Sequence, residues 1–458
     1  MPAPPFPGWV GARVVRGPVP VPYARRVSVL GDLRTVAVHA DFRKLFTVRL
    51  VSQAGDGMFQ VGLATLFFFS PERMTTAVDV AAAFAVLLLP FTVVGPFAGP
   101  LLDRWSRRQV LFVGNAVRVA LTLVLAALMG AVGVGPAVYV LALVTLGVNR
   151  FLLSALSAGL PRVVPRDQLL MANSLTPTLG AVSAVAGAVG GFVVGRIAST
   201  GPARDSATLV LAALVFAGAS ALALRLRRDQ LGPDPADHPS HGLAAALAAT
   251  ASDLAEGARY LVARRTPGAA LGVMAAHRFL YGVNFVALIL MSRNLLADPT
   301  DADAGMLTFA TLAGVSFAGN GLAIVLTPLA HERMRPATWI VVCLGLGAVS
   351  QLVLVAGHTM PLVAAGAVLL GLSVQGAKIA VDTIVQGDTA DAFRGRAFAL
   401  YDVLYNAAFV GAAAFAAAVL PDAGWSRLVF ALLTLGYLGL AALYRPVSRR
   451  PAREVEPA

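Results

Sequence analysis

Twelve apolar runs, each near the roughly 20 residues needed to cross about 30 Å of hydrocarbon, follow one another along this chain. They fall at 45–69, 77–101, 108–130, 136–160, 170–197, 206–226, 268–292, 305–329, 336–357, 361–386, 396–419 and 425–444. Lipid offers the backbone no hydrogen-bond partner, so each run must satisfy its amides internally and form a helix. Only 13% of the 458 residues are charged, about half the share usual in soluble proteins. That is too little charge to cover a water-facing surface of this size. The chain is therefore expected to be an all-α integral membrane protein with twelve transmembrane helices.

The basic residues are grouped between the runs. Arg104, Arg107 and Arg108, then Arg162 and Arg166, Arg225 to Arg228, Arg333 and Arg335, Arg394 and Arg396, and Arg445 to Arg453 all lie on alternate connections. The intervening connections are poor in Arg or acidic, as at Asp298, Asp301 and Asp303. The positive-inside rule then places both termini in the cytoplasm. A net charge of +12 scattered in this way belongs to membrane topology and excludes the basic stripe of a nucleic-acid binder. Lys44 and Lys378 are the only lysines, and the wealth of Ala, Val, Gly and Arg fits a GC-rich bacterial genome. The expected location is a bacterial cytoplasmic membrane. A single cysteine, Cys343, excludes an intramolecular disulfide and a cysteine-based metal cluster.

The longest interior polar stretch, 227–267, divides the runs six and six. The expected organisation is an N-terminal segment 1–43, a six-helix bundle 44–226, a linker 227–267, a second bundle 268–444 and a tail 445–458. Residues 1–43 contain no cleavable apolar core. Within the linker, Leu247, Leu254, Ala258 and Leu261 recur at helical spacing beneath charged residues, which predicts an amphipathic helix on the inner membrane surface.

Several short motifs resemble one family. After the second run comes Gly99-Pro-Leu-Leu-Asp103-Arg104-Trp-Ser-Arg107-Arg108. It resembles the Gly-x-Leu-x-Asp-Arg-x-Gly-Arg-Arg loop of the major facilitator superfamily, with Ser106 at the usual glycine. A degenerate copy, Thr327-Pro-Leu-Ala-His331-Glu-Arg333-Met-Arg335, follows the eighth run with His331 in place of the acid. Arg49-Leu-Val-Ser-Gln53-Ala-Gly-Asp56, the segment from Leu160 to Asn173, and Arg394 to Asp402 look like the superfamily's exporter branch that includes siderophore exporters. Together these cover residues 42 to 445. The fifth run carries Ala186-Gly-Ala-Val-Gly-Gly191 with Gly195 beyond, where the superfamily's drug/proton antiporters have Gly-Pro-x-x-Gly-Gly. Gly187, Gly191 and Gly195 share a face and suit close helix packing.

The resemblance implies two six-helix bundles related as parallel repeats around a central cavity. It implies that Gly99, Asp103, Arg104, Arg107 and Arg108 form a conformational latch. It also implies proton-coupled efflux of a small drug-like or siderophore-like molecule by a monomer, with the lipid bilayer, protons and solute as partners and no cofactor. The missing proline keeps a uniporter or importer of a small solute, anionic ones included, open as an alternative. A transport-inactive scaffold on the same fold is another. No ATP-binding loop, metal-spaced His/Glu pair or nucleophile elbow is present in the sequence, so no enzymatic activity is expected.

Ionisable residues gather at one depth. At 1.5 Å per residue, Asp56, Arg118, Arg150, Arg278 and, slightly shallower, Lys378 fall near mid-membrane. Charges there are costly and face a cavity or one another. Gln53, Arg118, Arg150, Arg278, Tyr281 and Lys378 are therefore candidate cavity residues. Asp56 and Asp382 are the candidate proton-coupling acids, and Tyr401 and Asp402 are candidate gate residues. Two readings of Asp56 stand: a titrating carboxylate whose charge is balanced between desolvation and a neighbouring arginine, or a permanent partner of Arg118 or Arg150. Lys378 and Asp382, four residues apart, could likewise simply neutralise each other.

Overall fold

The structure, a computed structural model, describes residues 36–68, 97–102, 104–132, 135–165, 168–198, 202–232 and 242–448. Thirteen α-helices run through them: α1 (Ala40–Phe68), α2 (Ala98–Leu102), α3 (Arg107–Val132), α4 (Pro136–Gly159), α5 (Leu169–Ala198), α6 (Pro202–Ala223), α7 (Leu243–Ala263), α8 (Arg265–Asn294), α9 (Ala302–His331), α10 (Pro336–Ala356), α11 (Met360–Asp388), α12 (Asp391–Val419) and α13 (Arg427–Ser448). Ten of them, α3 to α6 and α8 to α13, are long and apolar enough to cross a membrane. The second predicted span lies outside the described residues except at α2.

Helix boundaries follow local chemistry. Proline opens α4 and α10, where its fixed φ suits the first turn and no amide is lost. Asp301 caps α9 by accepting from the amides of Asp303 and Ala304 at 3.0 and 2.9 Å. In the connection before it, the Thr300 hydroxyl and amide both donate to Asp298 and hold its carboxyl below the usual range.

Glycines set the closest helix crossings. A Cβ on Gly57 of α1 would fall on the Ala184 carbonyl of α5, and one on Gly187 of α5 would fall on the Ala54 carbonyl of α1. Gly319 of α9 and Gly371 of α11 make the same kind of reciprocal approach through Val368 and Ser316.

The predicted amphipathic helix is α7. Its Leu261 is buried in the C-terminal core, and ion pairs dock its length onto α12. Arg396 reaches Asp253 and Glu256, both at 2.9 Å, and Tyr260 stacks on Phe393 at 4.1 Å.

Apolar packing divides the molecule unevenly. At the end far from the linker, one cluster joins Phe59, Leu63 and Leu125 of the N-terminal half to Val283, Leu290 and Phe409 of the C-terminal half. At the linker end each half has its own cluster, one around Leu45, Leu111 and Leu156 and the other around Met274, Ile340 and Val381. Among the described residues the halves thus share a core at one end only.

Candidate functional site

The most enclosed charges are Asp56 of α1 and Arg118 of α3. The two form an ion pair with side chains 2% and 0% exposed. Arg118 also donates to the Ser52 hydroxyl at 3.2 Å, and its guanidinium lies 3.6 Å from the ring centre of Phe216 on α6. Ser52 donates in turn to Asn115. The glycines flanking Asp56 make room for this arrangement: Gly55 gives way to the Phe216 ring and Gly57 to the backbone of α5. The Asn149 side chain of α4 lies beside the carboxylate. The second carboxylate oxygen, Asp56 Oδ2, is buried and accepts no well-aligned hydrogen bond among the described residues. Of the two arginines considered for Asp56, Arg118 takes the place and Arg150 points elsewhere.

Arg150 bridges to Asp402 of α12 at 3.5 Å, an ion pair between the two halves. The Asp402 side chain is 57% exposed, so this bridge is open to solvent in the gap between them. Lys378 pairs with Asp382 one turn along α11 at 2.7 Å. The Lys378 ammonium also lies 5.8 Å from the ring centre of Tyr401, whose hydroxyl lies beside Asp382. Arg150, Asp402, Tyr401, Lys378 and Asp382 therefore form one group that draws on both halves.

Arg278 of α8 is held differently. Its guanidinium sits over three rings, Tyr281 at 5.0 Å, Tyr405 at 4.1 Å and Phe409 at 4.2 Å. No carboxylate among the described residues pairs with it. The adjacent His277 points into the core, against Ser373 and Tyr437. Tyr281 also lines a crevice between α8, α9 and α11, together with Asn284, Phe285, Leu288, Ser316 and Asn320.

Gln53 packs beside Gly180 of α5 together with Arg49. Gly99 lies in α2, and Asp103 lies outside the described residues. Arg107 donates to the carbonyls of Ala158 and Leu231, at 3.1 and 2.9 Å, and Arg108 approaches that of Leu224. Those contacts tie the loop to the ends of α4 and α6 within the N-terminal half. Arg104 lies in the turn before α3. Gly187 and Gly191 pack on Ala54 and Met58 of α1, and Gly195 is buried on the same face.

Phe216, Tyr405, Phe409 and Asn149 belong to the site and were not singled out from sequence. Tyr401, Tyr405 and Phe409 recur at four-residue spacing, a signal that was available. Phe216 carries none, because its place over Arg118 depends on how α6 packs against α1 and α3. Among the described residues, no three His, Cys, Asp or Glu side chains come together as metal ligands.

No family model matches the sequence. Over 418 residues the chain is 37% identical to an uncharacterized MFS-type transporter of Mycobacterium tuberculosis, covering 91% of this chain and 93% of that protein. A protein of the same description from Mycobacterium bovis matches to the same extent. Among solved structures, the nucleoside transporter NupG aligns with a TM-score of 0.62 at 14% identity, over 90% of this chain and 100% of that one. A peptide transporter POT in complex with alafosfalin aligns with a TM-score of 0.64 at 14% identity, over 91% and 98%. At such identities the likeness is one of fold.

Proposed function

This chain belongs to the major facilitator superfamily, and on that footing we propose that it exports a small drug-like or siderophore-like molecule by proton-coupled alternating access. It is an integral membrane transporter with an all-helical, multi-pass fold. In the proposed cycle the two halves rock about the solute, with termini and linker in the cytoplasm, as the arginine clusters argue.

The observation that carries the coupling is the position of two consecutive residues on α4. Asn149 lies beside the Asp56–Arg118 pair inside one half, and Arg150 bridges to Asp402 in the other. Protonating Asp56 would leave Arg118 buried without its counter-charge, a cost of several kcal/mol unless the surroundings rearrange. Asn149 is the neighbour best placed to respond, and any rotation of α4 moves Arg150 relative to Asp402. Proton occupancy and the bridge between the halves are then linked, each biasing the other. Asp382 is the second candidate acid, through its contact with Lys378.

Export is supported by the resemblance of the first helix and of the loops near residues 160–173 and 394–402 to the exporter branch. The missing proline at 186–191 favours a second reading, a uniporter or importer.

The test uses proteoliposomes containing a pH-sensitive dye and an imposed proton gradient, challenged with a panel of drug-like and siderophore-like solutes. Proton flux that appears with a particular solute, and is lost in D56N recovered as folded protein while exchange of that solute persists, is the expected result; D56N is expected in lower yield, because it leaves Arg118 without its counter-charge. Solute movement without proton flux, or D56N accumulation equal to wild type, would sink proton coupling through Asp56.

A further inference from the structure

Each mid-span cation described above has an acidic partner except one. Arg118 has Asp56, Arg150 has Asp402 and Lys378 has Asp382. Among the described residues Arg278 has only aromatic faces. Those rings attract its charge but accept none of its hydrogen bonds in the plane of the guanidinium, which carries five N–H donors in a fixed fork. Its Nε is buried with no partner. A carboxylate or sulfonate is the group that matches the fork, taking two parallel hydrogen bonds.

What lies beyond Arg278 gives the shape of the rest. Tyr281, Phe285 and Leu288 continue from Arg278 along one face of α8 at helical spacing. The stripe runs ten residues, about 15 Å, into the crevice between α8, α9 and α11. Its lining is largely apolar, and Asn284 stands within it. Asn284 is 5% exposed and its Nδ2 is engaged by the Leu280 carbonyl at 2.9 Å, while its Oδ1 has no partner.

We propose that Arg278 and this crevice form a binding site for a monoanionic organic acid with an apolar body. The acid group sits on Arg278 and the body lies against Tyr281 and Phe285. One free cation fits one negative charge. The proposal rests on the transporter reading and specifies which solutes the C-terminal half accepts.

The test is calorimetric binding to the full chain in phosphatidylcholine nanodiscs, with empty nanodiscs subtracted. The probes are 1-naphthaleneacetate and its neutral amide. Wild type is expected to bind the acid at least about tenfold more tightly than the amide, as one charge-assisted contact allows. R278Q should abolish that preference while still binding the amide, and R278K should keep part of it. Equal affinity of wild type for acid and amide overturns the proposal without any variant, so a poorly folding R278Q does not shield it. An unchanged acid preference in folded R278Q also overturns it. Wild type that binds neither compound, yet drives proton flux with a solute in the vesicle assay, removes this site and leaves the transporter reading standing.

Discussion

Arg150 reaches across the gap between the two halves to Asp402, which lies 252 positions further along the chain. Its neighbour Asn149, about 100° around the same helix, faces the buried carboxylate of Asp56. One helix therefore touches the sealed charge pair of its own half and the exposed bridge to the other.

The bridge should matter more to the cycle than to stability. Asp402 is more than half exposed, and exposed pairs contribute only about 0 to 1 kcal/mol. R150Q and D402N are expected to melt close to wild type but to transport several-fold more slowly, with the charge swap R150D/D402R regaining part of the rate. Thermal melting read beside vesicle flux checks this. Flux at the wild-type rate in both single variants would make the bridge incidental.

The buried pair should behave in the opposite way. Removing one member of a fully buried ion pair leaves the other uncompensated and costs about 3 to 5 kcal/mol. R118L should therefore express poorly or melt well below wild type. The double variant D56L/R118L removes both charges and should recover most of the loss. A double variant no more stable than R118L would show that Arg118 is held mainly by Phe216 and Ser52.

Two glycines one turn apart on α5 should differ sharply when changed to alanine. A methyl at Gly187 meets the Ala54 backbone, which cannot give way, whereas at Gly190 it meets only the end of the Met58 side chain at 3.7 Å. G187A is expected to cost about 1 to 3 kcal/mol through overpacking, and G190A to stay within about 0.5 kcal/mol of wild type. Melting curves in one detergent decide it. Equal tolerance of the two would contradict the close crossing of α1 and α5.

Docking of α7 depends on a single basic residue that serves two acids. R396Q removes the partner of both Asp253 and Glu256. These side chains are half exposed, so global stability should change little. Amide exchange across residues 243–263 should nevertheless rise several-fold, read by mass spectrometry. Unchanged exchange would mean that Tyr260 on Phe393 and the burial of Leu261 hold the helix unaided.

Much of the fold could be read from the chain because lipid imposes a simple rule. Runs such as 170–197 and 336–357 have little choice but to be helices of nearly that extent, and the observed α5 and α10 differ from them by a residue or so. The depth count likewise drew attention to Asp56, Arg118, Arg150, Arg278 and Lys378, since rise per residue is fixed. What depth could not supply was azimuth. Arg118 and Arg150 share a level, yet one is sealed beneath Phe216 and the other spans the gap. That difference is set by how neighbouring helices pack, through glycines such as Gly55 and Gly57 whose role is visible only once α5 and α6 are in place. The rings around Arg278 came from two helices more than 120 positions apart, which periodicity within one segment does not connect.

The apolar seam joining Phe59, Leu63 and Leu125 to Val283, Leu290 and Phe409 should make the conformation seen here sensitive to temperature. Apolar burial carries a large heat-capacity change, and its contribution fades on cooling. Parting the halves at the far end must wet this seam, so the conformation seen here should gain on warming and yield on chilling. Spin labels at Ala137 and Pro299, flanking the seam on opposite halves, should report a growing share of long distances in the cold that reverts on warming. A distribution indifferent to temperature would mean that polar contacts, rather than water's aversion to the seam, set the balance between the two shapes.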